Sequence, residues 1–73
     1  MGDAKEHVFK VGGLRDELNG REIEHNLIQL DGVEEVRVSL PEGSVQVRYD
    51  PAVTDREYLA RTLDSLGYSP YVR

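Results

Sequence analysis

Residues 33–49 dictate most of what this chain can become. Val36, Val38 and Leu40 alternate with Arg37 and Ser39, and Val45, Val47 and Tyr49 alternate with Gln46 and Arg48. Alternation with period two marks a strand with one buried face. Between the two runs, Pro41 fixes φ and Gly43 accepts positive φ, which is the chemistry of a tight turn. The segment therefore reads as a hairpin with one apolar face. That face needs a cover. A chain of 73 residues with no cysteine has no disulfide staple to take the cover's place.

The flanks supply it. Ile23, Leu27 and Leu30 recur at i, i+4 and i+7, and Leu59, Leu63 and Leu66 repeat the spacing. Each set is one stripe along a helix. Asp31-Gly32 closes the first helix, with Gly32 in the left-handed conformation, and Gly67 stops the second. Thr54-Asp55-Arg56-Glu57 has the spacing of a capping box and opens the second helix. Glu57 and Arg61 form an i,i+4 ion pair on it. Residues 7–11 read as an opening strand, with Phe9 and Val11 on one face. Residues 68–72 read as a short final strand. The order β-α-β-β-α-β predicts an α+β, ferredoxin-like two-layer sandwich: a four-stranded antiparallel sheet with both helices on one face. Residues 1–73 form a single domain, and residues 1–6 are polar and frayed.

Charge and composition exclude several functions. The net charge is −5, so the chain lacks the basic face that nucleic-acid binding or adsorption to anionic membranes requires. No apolar run approaches the roughly 18 residues of a membrane span. The polar start, MGDAKEH, has no signal-peptide core, and Glu6 stands where a myristoylation motif needs Ser or Thr. Without cysteine there is no thiolate metal site and no thiol redox chemistry. A cytoplasmic, monomeric, non-catalytic chain is the expectation.

Several stretches resemble a known family. They are Gly13-Leu14 before a loop, Ile23-Glu24, Leu27, Asp31-Gly32-Val33-Glu34-Glu35-Val36-Arg37-Val38, Val45-Gln46-Val47-Arg48-Tyr49-Asp50-Pro51, and Leu66-Gly67-Tyr68. Together they resemble the heavy-metal-associated domain of bacterial copper chaperones and of metal-transporting P-type ATPases, over nearly the whole chain. The resemblance implies a ferredoxin-like fold and a role in metal transport. The family's site is Gly-Met-x-Cys-x-x-Cys, followed after three residues by Ile-Glu. Counted back from Ile23, its cysteine positions fall on Asp16 and Asn19, and its methionine position on Leu14. Tyr68 matches the aromatic that bacterial members place near the metal loop.

What Asp16 and Asn19 can do decides the functional reading. Soft Cu(I) needs thiolate or thioether ligands. A carboxylate and an amide do not replace them, and with Glu17 they make at most a weak site for a harder divalent ion. Both residues are also favoured helix caps. Asp16 caps a helix that starts a turn early, with Glu17 on the helix dipole and within reach of Arg21, or Asn19 pairs with Glu22 in a capping box. His25 faces solvent, and His7 lies at the frayed start of its strand. An acylphosphatase-like phosphate loop is disfavoured, because Asp16 and Glu17 would repel phosphate beside Arg15 and Arg21. An RNA-binding sheet is disfavoured too, because the first and third strands offer only Phe9 and Tyr49 as aromatics. The leading expectation is a family member whose thiolate site is lost and which serves binding or regulation. Arg15, Leu18, Arg21 and Tyr68 would form the patch for a protein partner, a metal-transporting ATPase or chaperone domain. The alternative is weak binding of a divalent ion through Asp16, Glu17 and Asn19.

Overall fold

The computed structural model describes residues 3–70. Five elements follow one another: β1 (Lys5–Lys10), α1 (Glu17–Ile28), β2 (Val33–Ser39), β3 (Ser44–Tyr49) and α2 (Arg56–Ser65). The three strands form one antiparallel sheet in the order β1-β3-β2. The expected final strand is not seen in residues 68–70, and its last two positions, 71 and 72, lie outside the described residues. The sheet is thus three-stranded among the described residues.

Register sets the two faces. Phe9 is opposite Val45, His7 opposite Val47, and Val38 opposite Val45 on the other side of the central strand. Phe9, Val36, Val45, Val47 and Tyr49 all turn inward and are buried, so the alternation read in the hairpin holds. The helices cover that face with Ile23, Leu27, Leu59 and Leu63, each fully buried. Leu30 and Leu66, the last members of each stripe, pack partly buried against this core.

One feature of β2 breaks simple alternation. Val33 is opposite Tyr49, yet Glu35 is opposite Arg48, so Glu34 is an extra residue, a β-bulge. Val33 and Val36 are three apart and would otherwise point to opposite faces. The bulge restores the parity, and Val33 packs on the core beside Val36. The outer face of the sheet is polar. There Arg48 reaches Glu6 (3.2 Å) and Glu35 (3.5 Å), and Glu35 also pairs with Arg37 (2.6 Å). The Arg37 hydrogen bond and charge hold the Glu35 carboxyl below the usual glutamate range.

Two helix boundaries differ from expectation. Asp55, not Thr54, caps α2: its Oδ1 accepts from the Tyr58 N–H at 2.8 Å. Thr54 stays outside the helix, and its buried hydroxyl has no hydrogen-bond partner among the described residues. The first helix ends at Gln29 rather than at the glycine, and the Leu30 N–H closes on Leu27 C=O. Gly32 does take positive φ (+89°), but it turns the chain into β2 instead of closing the helix. The expected Glu57–Arg61 pair forms at 3.0 Å, fully in solvent.

A Cβ at Gly32 would sit 2.9 Å from Val53 Cβ, on a backbone that side chains rarely adopt. We expect Gly32→Ala to cost on the order of 2 kcal/mol, read as a lower urea midpoint at unchanged slope.

Candidate functional site

The tip of the domain is built by three turns. Val11 N–H donates to Gly43 C=O (2.9 Å), which ties the loop after β1 to the hairpin turn. Gly12 N–H donates to Ser69 C=O (3.0 Å), which ties the same loop to the segment after α2. Gly13 has φ +89°, and a side chain there would press on Gly67 C=O at 3.3 Å. The first loop and the segment after α2 are therefore in close contact where α1 begins.

The first turn of a helix leaves backbone N–H groups without partners inside the helix. Asp16 and Asn19 satisfy them reciprocally. Asp16 is the cap, with extended backbone, and its Oδ1 accepts from Asn19 N–H at 3.1 Å. Asn19 Oδ1 in return accepts from the N–H groups of Asp16 (3.3 Å) and Arg15 (3.0 Å). This is a capping box with Asn in the place usually held by Glu or Gln. Of the two ways to start the helix, the earlier start at Asp16 is realised, and Glu17 lies in the first turn.

The other end of the Asn19 amide points inward. Its Nδ2 donates to the Tyr68 hydroxyl oxygen (2.9 Å), and that hydroxyl donates to Glu22 Oε1 (2.6 Å). Tyr68 is only 5% exposed. It is thus no part of an exposed patch, contrary to the expectation from sequence. Burying a phenol is economical when its hydroxyl is paired at both donor and acceptor sides, as here. In the alternative start at Asn19, Glu22 would reach back to the cap. It serves Tyr68 instead, while Asn19 itself takes the reciprocal capping role. The hydrogen bond to Glu22, then burial, then the Glu22 charge push the Tyr68 hydroxyl above its usual pKa, while the Asn19 donor opposes the shift.

The remaining candidates are dispersed. Leu18 is 73% exposed, and Arg15 is exposed beside the cap. Glu17 and Arg21 line a separate cleft between α1 and β2, with Val38 and Leu40, and no ion pair joins them among the described residues. Leu14 packs against the core. His25 is exposed and bonds Gln29 (2.7 Å), whereas His7 is half-buried, edge-on to Phe9 at 4.6 Å. Phe9 and Tyr49 are buried under the helices, so the sheet offers no stacking surface of the RNA-binding kind. No group of three or more His, Asp or Glu side chains converges as a metal cage among the described residues.

The model of one family, the heavy-metal-associated domain, matches residues 8–69. This chain belongs to that family. It is 38% identical over 72 residues to human copper-transporting ATPase 2, an alignment that takes in 99% of this chain and 5% of that protein. The solution structure of the N-terminal soluble domains of Bacillus subtilis CopA is similar with a TM-score of 0.88 and 29% identity, over 94% of this chain and 47% of that one. The CopZ metallochaperone gives 0.86 and 25%, over 89% of this chain and 97% of that one. These neighbours carry the heavy-metal-associated fold, to which two helices on a three-stranded antiparallel sheet conform. No helix among the described residues is long and apolar enough to cross a membrane.

Replacing Asp16 by alanine should cost about 1 kcal/mol. Asn19→Ala should cost more, about 2 kcal/mol, because it also strips the buried Tyr68 hydroxyl of a donor. Urea unfolding of both single variants checks the order. A raised Tyr68 pKa means its contribution to stability is complete below the unfolded value and is lost as pH climbs through the folded one. Urea stability should therefore fall more steeply in the natural chain than in Tyr68→Phe as pH rises above about 10.

Proposed function

We propose that this chain is a metal-trafficking module of the heavy-metal-associated family that has given up its thiolate site and works by protein contact. It acts as one non-catalytic domain, monomeric and cytoplasmic, with no resident metal. Its partner is a domain of a metal-transporting ATPase or of a chaperone. The observation that carries this reading is the engagement of both ligand positions inside the fold. Asp16 and Asn19 cap the first helix, and Asn19 also holds Tyr68. Cu(I), which needs soft sulfur donors, finds no thiolate in a chain without cysteine and no thioether at the Leu14 position. A harder ion at Asp16, Glu17 and Asn19 would first have to displace the hydrogen bonds of the capping box, leaving helix N–H groups unpaired. Leu18, carried outward by the capped turn with Arg15 beside it and Arg21 further along α1, offers the contact surface for the partner.

Amide NMR titrations with Cu(I), Zn²⁺, Ni²⁺ and Co²⁺ test the first half. No saturable shift is expected at residues 14–19. A saturable shift there that disappears in Asp16→Ala would sink the proposal. Addition of a soluble heavy-metal-associated domain from a copper-transporting ATPase, without metal, tests the second half. Shifts around Leu18 are expected, and they should weaken about tenfold in Leu18→Ser. Their absence would remove the partner from the reading.

A further inference from the structure

At the far end of α1, away from the tip, a groove of about 460 Å³ opens between the end of that helix and the start of α2. Twelve helical residues, about 18 Å, separate it from the Asp16 cap. Its apolar lining is Leu30, Val53 and Tyr58, of which Val53 is 57% and Tyr58 51% exposed. Two large apolar side chains left open in one groove is more than the scattered single exposures normal for a small domain. Its charged lining is Asp31 and Asp55, with no basic residue. Thr54 forms part of the same wall, and its hydroxyl is the buried side-chain group that lacks a hydrogen-bond partner among the described residues.

We infer that this groove docks an arginine-bearing, otherwise apolar segment of a partner protein. The acidic lining asks for a cation, and the exposed Tyr58 ring selects its type. A planar guanidinium stacks on an aromatic face and bonds a carboxylate at the same time, whereas an ammonium is a strongly hydrated point charge. Val53 and Leu30 take the apolar neighbours of that arginine. The carboxylate of Asp55 already accepts from Tyr58 N–H at 2.8 Å, which fixes its position, while Asp31 is exposed. The groove shares no residue with the tip, so this inference stands or falls independently of the function proposed there.

The test uses the whole chain, isotope-labelled, and a blocked five-residue peptide with arginine at its second and fourth positions and leucine at the others. Saturable amide shifts are expected at residues 29–31 and 53–58, with residues 14–22 unmoved. The same peptide with citrulline in place of arginine should bind about tenfold more weakly, and so should the arginine peptide to Asp31→Lys and to Tyr58→Ser. Both substitutions fall on exposed side chains, and unchanged amide positions for Ile23, Val47 and Leu63 verify that each variant is folded. Equal binding of the citrulline peptide, shifts confined to the tip, or no saturable shift in the groove would each overturn the inference.

Discussion

The carboxamide of Asn19 joins three parts of this molecule that are far apart in sequence. Its oxygen takes the N–H groups of Arg15 and Asp16, and its nitrogen gives to Tyr68, which in turn gives to Glu22. Only an amide does both. An aspartate at position 19 would keep the acceptor and lose the donor, and would set a second carboxylate against the hydroxyl already bonded to Glu22. A serine would be too short to face both ways. This side chain joins the start of α1, the loop after β1 and the segment after α2, alongside the Gly12 N–H bond to Ser69 C=O. The apolar core beneath, from Ile23 to Leu63, packs against elements whose ends are fixed in that way.

Much of the fold was legible because burial imposes a period. The hairpin and both leucine stripes could be read from spacing alone, and the inward residues named from them are buried or pack on the core, except Leu40 at the hairpin turn. What failed to show were features without a period. The place of Val33 depends on a bulge, and a bulge is an interruption. At the start of α2, Thr54 and Asp55 are both good caps on chemistry. The choice between them is made by where the chain arrives from β3, which no local pattern encodes. At the site, Asp16 as a cap was legible, since Asp before a helix is a local signal. The partnership of Tyr68 with Glu22 spans 46 residues and leaves no trace in either neighbourhood. The one clue was that Glu22 lies one turn beyond Asn19 and shares its side of α1.

Membership of the heavy-metal-associated family describes the scaffold more than the chemistry. Here the hydrogen-bonding needs of the first helix turn are met by Asp16 and Asn19. The tip and the far groove lie at the two ends of one short helix.

Glu34 has a second effect. Among the described residues β2 lies at one side of the sheet, with only β3 beside it. An open strand of this kind invites another sheet to add on, and proteins discourage that by twisting the strand and studding it with charge. The bulge twists it, and Glu34, Glu35 and Arg37 stud it. The residue that lets Val33 face the core thus also keeps neighbouring molecules from zipping together along this border.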